Sequence, residues 1–221
     1  MNNFSVARSE SQILETNKVL KNTYILLSTT LIFSGIMAAV GMAIQLSFAA
    51  SMGCSLAAIA LIWFVLPKTA NKSSGLWVVF AMTGLLGLGL GPILNHYLAM
   101  SNGSQIITTA FGGTGVVFLA LSGYALTSRK DFSFMAGFLV VGLVVAIIAM
   151  VANIFLQIPA LSLAISSVVI LIMSGMILFE TSQIIRGGQT NYILATVSLY
   201  LSIYNIFVHL LHLLGAVSGN D

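Results

Sequence analysis

The sequence predicts an all-α, polytopic membrane protein of seven transmembrane helices, on three observations. Charged residues make up 6% of the 221-residue chain and apolar residues 58%, whereas roughly 25% of a soluble globular domain is charged. Mean hydropathy is +1.06. The eight Lys and Arg and five Asp and Glu fall in clusters separated by long uncharged runs. So few charges cannot coat a water-facing domain of 23.4 kDa, which excludes a soluble enzyme, a nucleic-acid binder and a disordered tail protein. The net charge of +3 comes from scattered cations and makes no phosphate-binding footprint. Cys54 is the single cysteine, so neither an internal disulfide nor a Cys-based zinc site is available.

The helices follow from the gaps between charges. Residues 22–67, 73–128, 132–179 and 187–220 carry no Asp, Glu, Lys or Arg. A bilayer-crossing helix needs about 20 residues, so the first three gaps each hold two helices and the last holds one. Turn signals divide the gaps at Gln45-Leu-Ser47, Ser101-Asn-Gly-Ser104 and Gln157-Ile-Pro159. Helices are therefore expected near 22–45, 48–66, 75–99, 105–127, 133–156, 160–185 and 190–214. Backbone in hydrocarbon must bond internally, which makes these runs helices. Residues 1–21 are polar, lack a signal-peptide apolar core and read as a cytoplasmic tail before an uncleaved first span. Glu10, Glu15, Lys18 and Lys21 suit a helix there, but a free one is marginal. The transmembrane domain is expected over 22–215, with 216–221 a short outer tail.

Orientation follows from the same clusters. Arg8, Lys18 and Lys21 precede the first helix, Lys68 and Lys72 follow the second, Arg129 and Lys130 the fourth, and Arg186 the sixth. With seven helices all eight cations share one side. The positive-inside rule makes that side cytoplasmic, with the amino terminus inside and the carboxyl terminus outside.

Glu180 is the acid that fits no loop. It ends the apolar run 170–179 and lies six residues before Arg186, roughly 9 Å inward at 1.5 Å per residue. A carboxylate there is costly and faces the bundle interior or headgroup water. Two readings stand: a proton- or cation-sensing group at a cytoplasmic mouth, or an interfacial Glu bonded to Gln183. In the last helix Ser198, Ser202, Asn205, His209 and His212 share an arc of about 80°, which turns this stripe toward other helices. It would line a hydrated path or serve as interhelical hydrogen-bonding glue. His209 and His212 with His96 make a metal set without acid or thiolate, a weak zinc pattern, and otherwise read as interfacial histidines. Gly87 and Gly91 form a GxxxG pair followed by Pro92, which predicts close helix packing with a kink. Gly112, Gly113 and Gly115 suit close packing in the fourth helix. No nucleophile with a base, and no carboxylate pair, is arranged for catalysis.

The strings Leu178-Phe-Glu-Thr-Ser-Gln-Ile-Ile185, Ser198-Leu-Tyr-Leu-Ser-Ile-Tyr-Asn-Ile-Phe207 and Leu213-Leu-Gly215 resemble the transmembrane Bax-inhibitor-motif family. Gly91-Pro-Ile-Leu94 and the segments 124–134, 151–161 and 187–192 extend the resemblance from about Asn17 to Gly215. It implies a seven-helix fold with the seventh helix central, no cofactor, and membrane lipid as surroundings. It also implies two activities. One is a pH-sensitive cation or proton leak through an acid on helix six and another on helix seven. Glu180 occupies the first position; Ser202 occupies the second, where channel-like members carry Asp. The candidate site is then Glu180, Ser202, Asn205 and Ser198, although one Glu beside a Ser is a poor calcium site and cannot share a proton as a carboxylate pair does. The other activity is that of bacterial inner-membrane members, which are similar in being substrates and competitive inhibitors of the FtsH protease. Their partners are FtsH and its HflK and HflC regulators, and the protease would grip residues 1–21 and be slowed by the bundle.

Overall fold

Seven helices follow one another along the chain: α1 Asn2–Ala43, α2 Phe48–Thr69, α3 Ser74–Leu98, α4 Gly103–Ser128, α5 Ala136–Leu156, α6 Pro159–Ile185 and α7 Tyr192–Ser218. The computed structural model describes the backbone of residues 2–218 and the side chains of residues 14–218. All seven helices contain a stretch long and apolar enough to cross a membrane, and the described residues contain no strand. The protein is an all-α, seven-helix membrane protein.

Local chemistry sets the helix ends. Gln45, Arg129 and Gln157 adopt positive φ of 49°, 50° and 51°, the left-handed conformation that ends a helix by turning the chain out of register. Ser47 then caps α2 by accepting from Ala50 N at 3.3 Å, and Pro159 opens α6, where its missing N–H goes unneeded. Gly187, at φ 75°, closes α6 while Gly188 N donates to the Gln183 carbonyl at 2.9 Å. Within α2 a π-helical turn spans Leu61–Val65, with Leu66 N donating to the Leu61 carbonyl. Pro67 follows directly and cannot donate to the preceding turn, so the widened turn accommodates the lost bond.

One boundary differs from expectation. α1 begins at Asn2, where the sequence places the helix start near residue 22. Once the apolar part of α1 forms a nucleus, each residue added toward the amino terminus gains a hydrogen bond without a new nucleation cost. The 42 residues of α1 make a rod about 63 Å long, roughly twice the thickness of a bilayer core. The side chains of Arg8 and Glu10, and residues 219–221 of the expected outer tail, lie outside the described residues.

The chain packs as two units, the first comprising residues 1–101 and 190–200 and the second residues 102–189 and 201–221. In the first unit α3 lies between α1 and α2. Gly87 and Gly91 face α1: a Cβ on Gly87 would strike the Ser34 carbonyl oxygen, and one on Gly91 would lie 2.7 Å from the Gly41 carbonyl oxygen and 2.8 Å from Met42 N. Gly89 faces the other way, where Ser51 Oγ donates to its carbonyl at 2.5 Å. Pro92 sits inside α3 and leaves the Leu88 carbonyl without its usual donor. Gly41 fills the gap, its Cα approaching so closely that an added Cβ would lie 2.5 Å from Leu88 O, a geometry suited to a Cα–H···O contact. Asn95 Nδ2 donates to the Met42 carbonyl at 3.1 Å. The Ala43 end of α1 is thus held by backbone-to-backbone contact and a side-chain hydrogen bond.

In the second unit α6 packs against both α4 and α5. Leu139 of α5 lies against Gly175, so a Cβ there would sit 2.6 Å from Leu139 Cδ2. Ser122 of α4 and Thr181 of α6 face one another at 3.4 Å between hydroxyls.

Candidate functional site

Glu180 lies one turn before the end of α6 and is only 6% exposed. Its neighbours Thr181 and Ser182 are buried, as is Ser122, so this end of α6 is a polar patch inside an apolar helix. Just beyond it the α4–α5 loop is tied to α6. Ser182 Oγ donates to the Lys130 carbonyl at 3.0 Å and accepts from Phe132 N at 3.3 Å, while Gln183 Nε2 donates to Ser133 Oγ at 2.7 Å. Arg186 pairs with Asp131 at 3.2 Å, both about half exposed. The Ser133 hydroxyl and amide, then Arg186, hold the Asp131 carboxyl below its ordinary range.

Ser202, 2% exposed, belongs to the same unit as Glu180, as does Asn205; Ser198 belongs to the first unit. Asn205 Nδ2 turns back on its own helix and donates to the Leu201 carbonyl at 2.8 Å. No position of α7 from Ala195 to Ala216 is exposed, so burial is not confined to the polar stripe: Leu199, Ile206 and Leu211 on its other faces are fully buried.

The carboxyl-terminal end of the stripe is where side chains converge. His212 Nδ1 lies 2.9 Å from Ser166 Oγ and His212 Nε2 lies 3.4 Å from Ser162 Oγ. His209 Nδ1 lies 3.0 Å from the same Ser166 Oγ. Two serines one turn apart on α6 thus meet two histidines one turn apart on α7. His96 is exposed, belongs to the other unit, and stacks edge-on with Tyr97. Among the described residues no group of three or more His, Cys, Asp and Glu is placed to hold a metal.

Sequence reasoning did not single out Ser162, Ser166, Gly41 or Asn191. The Ser162/Ser166 pair carried a signal, since two hydroxyls at i, i+4 in an otherwise apolar run give α6 a polar stripe to set against that of α7. Asn191 Oδ1 caps α7 by accepting from Ile193 N and Leu194 N at 2.9 and 3.2 Å. Its Nδ2 donates to the Ala70 carbonyl and to Asn71 Oδ1 at 3.0 and 2.7 Å, fastening the α2–α3 loop to the start of α7.

Known proteins resemble the chain over nearly its whole length. The family profile Bax1-I, described as inhibitor of apoptosis-promoting Bax1, matches residues 16–219. A protein of Escherichia coli K12 named modulator of FtsH protease YccA is 55% identical over 216 residues, 97% of each chain. A membrane protein of Vibrio cholerae is 53% identical over 218 residues, 99% of this chain and 98% of its own. A Pseudomonas aeruginosa protein is 46% identical over 207 residues, 94% of this chain and 93% of its own. A profile match of this extent, with relatives at these identities, makes this chain a member of the Bax1-I family.

Proposed function

We propose that the chain modulates the FtsH protease, acting as a slowly extracted substrate that occupies the enzyme and spares other membrane proteins. The observation that carries this reading is the 55% identity, over 97% of both chains, to the Escherichia coli protein named as a modulator of that protease. Two features of the chain support it physically. The positive-inside rule puts the amino-terminal segment in the cytoplasm, and α1 runs without a break from Asn2 into the first span. Force applied to that segment therefore reaches the span directly. At its other end α1 is clamped to α3 through Ser34–Gly87, Gly41–Gly91 and Asn95–Met42. A helix locked at its far end resists extraction, which slows turnover and prolongs occupation of the protease. HflK and HflC, as regulators of FtsH, would be met in the same assembly.

Removal of residues 2–16 tests the grip. The truncated chain is expected to outlive the intact one about fivefold in membranes containing FtsH, because extraction cannot begin without an end for the enzyme to hold. Equal half-lives would remove the amino-terminal segment from the mechanism.

The buried Glu180 favours a second reading, a proton or cation leak along α6 and α7. Ser122, Thr181 and Ser182 are buried at the same end of α6, a polar region through which such a leak would have to pass. Flux into proteoliposomes, compared between the wild type and Glu180→Gln, decides it: this reading expects a wild-type flux that the substitution abolishes. The protease reading expects Glu180→Gln to modulate FtsH like the wild type.

A further inference from the structure

We propose that Ser162, Ser166, His209 and His212 form a proton-operated clasp that joins α6 to α7 at neutral pH and releases when both histidines are protonated. The geometry is specific. Ser166 Oγ lies 2.9 Å from His212 Nδ1 and 3.0 Å from His209 Nδ1, and Ser166 is 2% exposed. A hydroxyl has one proton and two lone pairs. With both imidazoles neutral, Ser166 donates to one Nδ1 and accepts from the other, so all three groups are satisfied by one set of tautomers. Ser162 Oγ, 3.4 Å from His212 Nε2, holds the other side of that ring.

Protonation of both rings ends this arrangement. Each Nδ1 becomes a donor, so Ser166 can only accept from the two rings and its proton must turn away from both. The two Nδ1 atoms, each within 3.0 Å of one oxygen, would then belong to two like charges about 6 Å apart or less. Among the described residues of this unit nothing nearby offsets them. α4, α5, α6 as far as Phe179, and α7 from Leu201 to Ser218 contain no Asp, Glu, Lys or Arg. Tyr204 is the other titratable side chain in that stretch of α7. Glu180 is 14 residues from Ser166 along α6, roughly 21 Å. The two imidazoles are the basic groups of this cluster, so acid reaching this end of α7 would act on the clasp.

The test is hydrogen exchange of the full chain in lipid nanodiscs, with rates corrected for the intrinsic effect of pH. On going from about pH 7.5 to about pH 5.5, protection of residues 162–169 and 208–214 is expected to fall about tenfold. Protection at the Arg186 end of α6 is expected to stay constant. The double variant His209→Gln, His212→Gln is expected to lose that pH dependence. Protection in the wild type that does not change with pH, or a double variant with the same pH dependence, overturns the proposal. Should the double variant not fold, imidazole nitrogen NMR of the wild type decides. Protection falling together with the disappearance of both unprotonated ring nitrogens is expected, and protection falling while either ring is neutral overturns it.

Discussion

Gly91→Leu is expected to destabilise the protein by about 3 kcal/mol, at the upper end of the cost of overpacking. The position leaves no space. An added Cβ would strike the Gly41 carbonyl carbon and lie 2.7 Å from its oxygen. These are backbone atoms, unable to swing aside as a side chain does, so α1 and α3 must separate. Separation would also pull Gly41 from the Leu88 carbonyl that Pro92 leaves without a donor. The control is Gly35→Leu on α1, where a Cβ meets nothing within 4 Å and the change is expected to stay within about 0.5 kcal/mol. Reversible unfolding in mixed micelles measures both, and equal effects would refute the α1–α3 contact. On the proposed mechanism the Gly91 variant should also be degraded faster by FtsH and compete less well, because it would lose the clamp on α1.

Asn191→Ala is expected to cost about 2 kcal/mol. Loss of a helix amino-terminal cap costs about 1 kcal/mol, and loss of the two side-chain donations to Ala70 O and Asn71 Oδ1 about as much again. Asn191→Asp separates the parts. Its carboxylate keeps the cap to Ile193 N and Leu194 N and suits the positive end of the helix dipole, but cannot donate to Ala70 or Asn71. It should lose about half as much, roughly 1 kcal/mol. Unfolding midpoints in the same micelles rank the three proteins, and an Asp variant as weak as the Ala variant would show that capping contributes little.

The number of spans was legible because lipid imposes a length on every uncharged run, and because Gln45, Gln157 and Pro159 mark turns by residue type. Helix starts outside the apolar region were not legible. The segment from Asn2 to Lys21 has no hydropathy signal, and its helicity depends on continuing a helix that lipid already stabilises. The π-turn at Leu61–Val65 and the Gly41–Leu88 approach were hidden for a related reason: each answers a hydrogen bond that a proline removes, and the residue that answers is set by packing. Gly87 and Gly91 could be found by spacing, yet the α1 backbone against them could not. At the candidate sites Glu180 was identifiable as a deep acid and the α7 stripe by its arc. Ser162 and Ser166 were missed because their role requires knowing that α6 and α7 meet at that height.

Competition for the protease is the most direct test of the account. FtsH, a second membrane-protein substrate and this chain would be reconstituted in one bilayer, with the two substrates equimolar and saturating. The half-life of the second substrate should roughly double, as for two substrates sharing one enzyme, and should return to its original value when the chain lacks residues 2–16. A second substrate degraded at an unchanged rate beside the intact chain would contradict the account.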